Sequence, residues 1–350
     1  MNQRPNKTLF FNFAGIKTYL LVLLLTLPFI SCVKEEEFDN TPEGNFEALW
    51  QMMDRNYCFF EYKDVDWNEI HDTYRKRITP GMSNEGLFQV LGDMLSELQD
   101  GHVNLSSAYN VARYWKWFED YPKNFSDSIQ RVYLGTDYKI ASGLKYKILD
   151  DNIGYIYYES FSDGIGEGNL DEVLFNLAVC DGIIIDIRNN GGGNMSNATK
   201  IASRFTNEKV LTGYVRHKVG SGHSDFSDPK AIYLEPSDRI RWQKKVAVLT
   251  NRSTFSAAND FASIIRFVIP KKATIIGDKT GGGSGFPFSS ELPNGWGVRF
   301  SSSPFYDATM NQTENGIDPD IKVNMSSGDM MRKRDTIIET ARSFLKGNLQ

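Results

Sequence analysis

The stretch GIIIDIRNNGGG, residues 182–193, gives the clearest indication of the architecture. Its first half is an apolar run bounded by turn residues, which is typical of a central strand that is covered on both faces. A second buried strand is predicted at residues 246–250. Around these two runs the chain alternates between a strand-like segment, residues 153–158, and helix-like segments, residues 170–178 and 195–205. The pattern predicts an α/β domain.

The part of the chain before this domain has a helical pattern. Apolar residues recur at helical spacing from residue 41 to residue 98, and Thr41 followed by Pro42 is typical of a helix start. Residues 109–125 are dense in aromatic side chains, for which packing between the two parts is favoured over a substrate groove. The predicted boundaries are a helical N-terminal domain at 43–107, an aromatic-rich connecting segment at 108–152 and the core domain at 153–350.

The first residues resemble the signal peptide of a bacterial lipoprotein. A basic start is followed by an apolar run at residues 19–30, too short to span a bilayer of about 30 Å as a helix. The run ends in FISC, residues 29–32, which resembles a lipobox and implies lipidation of Cys32. We therefore expect a signal peptide at 1–31, a lipidated and flexible tether at 32–42, and a location on a Gram-negative membrane facing the periplasm or the cell surface. A short membrane anchor with an incidental cysteine is the alternative.

Composition excludes some classes of protein. The 350 residues carry a formal net charge of −5, and no long basic run follows the first residues, which argues against a nucleic-acid partner. After processing, Cys58 and Cys180 remain, and free thiols are favoured over a disulfide because Cys180 ends an apolar stretch. No spacing of His and Cys predicts a metal site, and no organic cofactor is implied.

Four segments could carry chemistry. In VAVLTNRSTFSAA, residues 246–258, a buried strand ends, a polar turn follows and a helix begins at Ser256. A hydroxyl at a helix N-terminus suits a nucleophile whose attack creates an oxyanion, although on this segment alone a plain N-cap serine is favoured. Consecutive glycines at 191–193 could turn backbone N–H groups into a cleft. His102 follows a glycine at a predicted helix end. Residues 313–320 have the pattern of a turn that carries acidic side chains.

Together these segments resemble the tail-specific (C-terminal processing) serine peptidases, in particular their tricorn-like branch. The resemblance runs from about residue 46 to residue 323 and implies a ClpP/crotonase-like ββα core with a helical N-terminal domain. The elements that carry it are Asp100-Gly101-His102, Asn190 with the three glycines, Thr254 to Ala258, Gly277-Asp278, and Glu314, Gly316 and Pro319-Asp320.

The resemblance offers two catalytic designs. One pairs the serine with a lysine at a position that falls on Gly283 here, and Lys279 is the nearest amine. The other implies that Ser256 is the nucleophile, His102 its base and Glu314 the acid that orients the imidazole. In this favoured design, amides of Gly191 or Gly192 and of Ala257 bind the oxyanion.

Three departures from the family pattern qualify this reading. Gly101 replaces a serine that helps link the histidine to the acid, so Glu314 must reach His102 directly or through water. Asn259 stands where a glutamate is common. The roughly fifty residues between His102 and Ile153 are too few for an inserted PDZ domain, which argues against a role in processing C-termini.

We therefore expect a serine peptidase that acts on a peptide or protein substrate outside the cytoplasm. The alternatives are a non-catalytic binding lipoprotein on the same fold and, less favoured, a crotonase-type acyl-CoA enzyme. The oligomeric state stays open.

Overall fold

The apolar run at 183–185 forms the middle of a mixed sheet whose central strands are parallel, with its side chains divided between two cores. The computed structural model describes residues 37–270 and 272–348. Ile183 and Ile185 face one core together with Ile187, whereas Ile184 faces a second core on the other side of the sheet. Because both faces are covered, every residue of this strand is apolar or paired, as expected for a central parallel strand.

The sheet that contains this strand has seven strands. Its order is β14-β10-β9-β6-β5-β4-β3, with parallel pairing from β14 to β5 and antiparallel pairing from β5 to β3. Its strands are β3 (Lys139–Ala141), β4 (Leu144–Ile148), β5 (Ile153–Tyr158), β6 (Gly182–Asp186), β9 (Lys245–Thr250), β10 (Ala273–Gly277) and β14 (Ile321–Lys322).

Helices cover both faces of this sheet. The helices on the face shared by Ile183 and Ile185 are α7 (Glu167–Leu177), α8 (Met195–Ala202), which a short 3₁₀ turn (Ser203–Phe205) extends, and α9 (Ala257–Val268). The opposite face is covered by α6 (Asp127–Leu134) and α11 (Thr336–Leu345). The predicted α/β class is therefore confirmed.

The N-terminal region is helical, as predicted, and Thr41 caps its first helix, as the sequence indicates. Thr41 accepts a hydrogen bond from the Gly44 amide at 3.0 Å. Its helices are α1 (Pro42–Asn56), α2 (Phe60–Lys63), α3 (Trp67–Arg75) and α4 (Asn84–Ser96), and two further short helices are α5 (Lys116–Glu119) and α10 (Ser327–Met331).

A second, antiparallel sheet packs on the N-terminal helices. Its order is β11-β12-β1-β2, and it unites strands from both ends of the chain. Leu292, Val298 and Phe300 share the core of helices α1 to α4. The strands are β1 (Asn104–Ser106), β2 (Val111–Arg113), β11 (Phe286–Glu291) and β12 (Gly297–Ser303), and a third sheet is formed by β7 (Val210–Val215), β8 (Lys230–Leu234) and β13 (Phe305–Asp307).

Three further observations bear on the expectations from sequence. Cys58 and Cys180 are both free and buried, as predicted. Cys32 and the rest of the expected signal peptide lie outside the described residues. No helix within residues 37–270 and 272–348 is both long and apolar enough to cross a membrane.

Candidate active site

Ser256 lies in a sharp turn between β9 and α9. Its backbone adopts φ 57° and ψ −127°, which is unfavourable for a residue with a Cβ. Its amide donates to the carbonyl of Gly282 at 2.8 Å, and the amide of the preceding Phe255 donates to the carbonyl of Asn190 at 3.0 Å. These two hydrogen bonds fix the backbone at Ser256. The serine side chain lines the cleft.

His102 faces this hydroxyl from the other side of the cleft. The His102 Nε2 atom lies 3.0 Å from Ser256 Oγ, which is hydrogen-bond distance for a nucleophile and its base. The imidazole is buried, and burial lowers the pKa of His102 to about 4 although the nearby Asp100 carboxylate opposes the shift. The ring is therefore neutral at pH 7 and able to accept a proton.

Asp100 fixes the turn that carries His102. Its Oδ1 atom accepts the His102 amide at 2.7 Å. Its Oδ2 atom accepts the hydroxyls of Tyr57 and Ser301, each at 3.0 Å. The sequence places Asp100 next to His102 but gives no signal for the two distant hydroxyls, so this anchoring role was missed.

Glu314 is buried close to this turn but is not bonded to His102. Its Oε1 atom lies 3.2 Å from the Lys63 ammonium, and its Oε2 atom accepts the Ser284 amide at 2.9 Å. Within the described residues, His102 Nδ1 has no hydrogen-bond partner. The direct contact that we considered from sequence is thus not made, because both carboxylate oxygens are engaged elsewhere. Burial and the charge of Asp100 raise the pKa of Glu314 above its ordinary value.

Lys63 connects Glu314 to the His102 turn. Its ammonium group donates to the Gln99 carbonyl at 3.3 Å, and Gln99 has the positive φ of 46° that starts the turn. Glu314 therefore acts on the turn through Lys63, a contact that no sequence motif indicated.

The predicted oxyanion donors differ in whether their amide N–H groups are already hydrogen-bonded. The Gly192 amide donates to Asn190 Oδ1 at 2.9 Å, so in this arrangement it is engaged. The Gly191 and Ala257 amides donate no hydrogen bond within the described part of the chain. A Cβ on Gly192 would lie 2.7 Å from the Ser256 Cβ atom, so only glycine allows the loop at 191–193 to pack on the turn that carries Ser256.

Two glycines account for departures from the family pattern. A Cβ at Gly101 would lie 2.7 Å from Trp117 Nε1 and 2.9 Å from the Phe255 ring. The Trp117 and Phe255 rings stack with centroids 4.3 Å apart, and they fill the space that a serine at 101 would need. At Gly283, a Cβ would lie 2.5 Å from the same Phe255 ring, so a lysine cannot occupy the position that the lysine design requires.

Lys279 and Asn259, which the sequence analysis also singled out, do not line the cleft. Asn259 accepts the Thr280 hydroxyl at 2.6 Å and donates to the Thr313 carbonyl at 3.3 Å. It thereby ties α9 to the segment that precedes Glu314, which is a structural use of this position. Among the residues described, no group of three or more His, Cys, Asp or Glu side chains could hold a metal ion.

The cleft around Ser256 and His102 has a volume of about 550 Å³. Three of the aromatic side chains of the connecting segment line it: Trp115, Trp117 and Phe118. These residues therefore form a wall of the groove, and Trp117 also packs on Phe255. Phe125 packs in a core, as favoured from sequence. A second cleft of about 940 Å³ shares Phe118 with the first, so an extended substrate has room on both sides of the wall.

An α/β fold whose cleft holds a serine hydroxyl against a buried neutral imidazole is the arrangement that serine hydrolases use. Family models agree with this class: that of peptidase family S41 matches residues 152–323, and that of the tricorn protease C1 domain matches residues 38–96. A crystal structure of a candidate peptidase from Parabacteroides merdae ATCC 43184 is 55% identical with a TM-score of 0.84, and the match covers 88% of this chain and 97% of that chain. The chain belongs to peptidase family S41.

One solved structure of low identity agrees in fold, and one further protein matches part of the sequence. Mature CPAF is 13% identical with a TM-score of 0.67, and the match covers 87% of this chain and 97% of that chain. An uncharacterized protein of Chlamydia muridarum (strain MoPn / Nigg) is 27% identical over 118 residues, 31% of this chain. The match spans 19% of that protein's length. The two family models and the Parabacteroides merdae structure confirm the family resemblance inferred from the motifs.

Proposed function

We propose that this protein is a serine peptidase that hydrolyses peptide bonds outside the cytoplasm through an acyl-enzyme. The observation that carries the proposal is the 3.0 Å contact between His102 Nε2 and Ser256 Oγ in a glycine-lined cleft. A neutral imidazole at this distance can take the hydroxyl proton as the oxygen attacks a carbonyl carbon.

The proposed reaction has two halves. Ser256 Oγ attacks the scissile carbonyl while His102 Nε2 takes its proton, and the amides of Gly191 and Ala257 donate to the oxyanion. Collapse of the tetrahedral intermediate breaks the C–N bond, and the leaving amine takes the proton from His102. Water then attacks the ester with His102 again as base, which releases the acid and restores Ser256.

Glu314 is assigned a positioning role in this mechanism. Its carboxylate holds the Lys63 ammonium, and Lys63 in turn holds the Gln99 carbonyl at the start of the His102 turn. In this way Glu314 orients His102 without touching the imidazole. Lys279 has no part in the proposal, because it does not line the cleft.

Labelling with a fluorophosphonate probe tests the assignment. We expect the purified full-length protein to react and Ser256→Ala and His102→Ala to remain unlabelled. Because burial lowers the pKa of His102 to about 4, the base form persists in mild acid. The labelling rate should therefore stay nearly constant from pH 7 down to about pH 5 and fall only below that value.

Two outcomes would contradict this proposal. A well-folded wild-type protein that takes no label would favour the alternative of a non-catalytic binding protein. A labelling rate that falls by half near the ordinary histidine pKa of about 6.5 would show that His102 is not the buried neutral base. Circular dichroism at each pH separates both results from loss of the fold.

We further propose that Cys32 is lipidated and holds the protein at a membrane. Two or more acyl chains give stable anchoring because each buried CH₂ contributes about 0.8 kcal/mol. We expect Cys32→Ser to move the protein from the membrane fraction to the soluble fraction without changing fluorophosphonate labelling. A variant that stays in the membrane fraction after fractionation would refute lipidation at this cysteine and favour a membrane anchor formed by the apolar run.

A further inference from the structure

Two arginines flank Asn104 on the sheet that carries the His102 turn. In the register of this sheet, Asn104 on β1 pairs with Arg299 on β12 and with Arg113 on β2. The three residues therefore form one row across adjacent strands and point to the same face. Because neighbouring strands are about 4.8 Å apart, the two arginine Cα atoms lie about 10 Å apart. Both side chains line the cleft that contains Ser256.

The cleft lining offers these cations no carboxylate, because none of the side chains that line the cleft is acidic. Within the described residues, neither Arg113 nor Arg299 forms an ion pair, and the Arg299 side chain forms no hydrogen bond. The positive charge stands out because the whole chain has a formal net charge of −5.

The arrangement holds two like charges together. Arg113 Nε donates to Asn104 Oδ1, and its guanidinium lies 4.6 Å from the centroid of the Trp115 ring. Partial burial and the charge of Arg113 lower the pKa of Arg299 below its ordinary value, although the charge of the Asp100 carboxylate opposes the shift in part. Repulsion between two guanidinium groups disfavours the empty site, and an anion between them relieves it.

The location of the row relates it to the reaction. Asn104 follows His102 by two residues, and both arginines lower the pKa of His102 through their charge. A group bound by the arginines would therefore lie in the same cleft as Ser256 and His102.

We propose that Arg113 and Arg299 form a subsite for a carboxylate of the peptide substrate. The inference rests on the proposed peptidase function and adds the class of substrate: a peptide with an acidic side chain, or its own free C-terminus, close to the cleaved bond. Two forked guanidinium groups match the geometry of a carboxylate. Trp115 and Asn104 hold one of them in place before the substrate arrives.

The test uses matched quenched peptides and the purified full-length protein. One set scans a single Glu against Gln through successive positions of a C-terminally amidated peptide, and a second set compares a free C-terminus with its amide. We expect wild-type kcat/KM to favour a carboxylate by about 10-fold or more, as for a charge-assisted hydrogen bond. The set in which the preference occurs identifies the source of the carboxylate.

The variants show whether the arginines cause this preference. Arg113→Gln/Arg299→Gln should reduce the preference to within about twofold, and the matched control Arg332→Gln, an exposed arginine paired with Asp329, should leave it unchanged. Fluorophosphonate labelling should persist in both proteins, which shows that Ser256 and the fold are intact. A wild-type protein that does not discriminate in either peptide set, or a preference that survives in the double variant, overturns the subsite.

Failure of the proposed function gives a different result. If the wild-type protein takes no fluorophosphonate label, the peptidase assignment fails, and the same peptide pairs are measured as equilibrium binding to Ser256→Ala. Tighter binding of the carboxylate peptides that is lost in the double arginine variant still supports the subsite. Equal binding of both members of each pair overturns it.

Discussion

Removing either Ser256 or His102 is expected to lower peptide hydrolysis by about 10⁴- to 10⁶-fold, and removing both is expected to cost little more. The reason is that the two side chains work as a unit across a 3.0 Å contact. Without the imidazole the hydroxyl is a poor nucleophile, and without the hydroxyl the imidazole has no proton to take. Initial rates with Ser256→Ala, His102→Ala and the double variant measure this directly.

Glu314→Gln provides a graded comparison in the same assay. The amide keeps an acceptor for the Ser284 N–H but loses the charge that holds Lys63. We expect kcat to fall by less than in Ser256→Ala, with Lys63→Met causing a similar loss. If the two alanine variants had additive effects, or if Glu314→Gln left kcat unchanged, the corresponding part of the mechanism would be wrong.

Replacing Arg188 by methionine is expected to cost about 3–5 kcal/mol of unfolding free energy, the typical loss when one partner of a buried ion pair is removed. Arg188 is fully buried, with Nη2 2.6 Å from Asp186 and Nη1 2.9 Å from Asp335. Asp335 also caps α11 by accepting the Ile337 and Ile338 amides at 3.0 Å. The methionine would leave two carboxylates buried without a cation.

Denaturant unfolding of Arg188→Met measures this loss. The exposed pair of Arg332 and Asp329 gives the control, since Arg332→Met removes a surface ion pair worth at most about 1 kcal/mol. Adding Asp186→Asn and Asp335→Asn to Arg188→Met should recover much of the loss, because no buried charge then remains. A loss below about 1 kcal/mol in Arg188→Met would contradict the view that this cluster fastens the C-terminal helix to the sheet.

Local sequence patterns were sufficient to predict the three adjacent strands β5, β6 and β9 at the middle of the central sheet. The strand at 153–158 has the predicted bounds, and the nucleophile turn lies between a predicted strand and a predicted helix. These elements are encoded by runs of neighbouring residues, namely apolar strands, capping residues and a serine followed by small side chains. Ser256 and His102 could be singled out because their flanking residues are themselves short motifs.

The antiparallel sheet beside the cleft was not predicted. Its strands β1 and β2 have three residues each, and β1 pairs with β12 almost two hundred positions along the chain. Such pairing depends on tertiary packing rather than on a local pattern. For the same reason the partners of Asp100, the contact of Lys63 with Glu314 and the arginine row became visible only in three dimensions.

The anchoring of Asp100 by Ser301 has a consequence for the biosynthesis of the protein. Ser301 lies on β12, which is made after both reacting side chains. A growing chain that has reached α9 contains the serine and the histidine, but the turn that presents the imidazole still lacks its anchor. On the proposed mechanism, hydrolysis would therefore begin only after the last strand of the antiparallel sheet has docked and Ser301 has anchored Asp100.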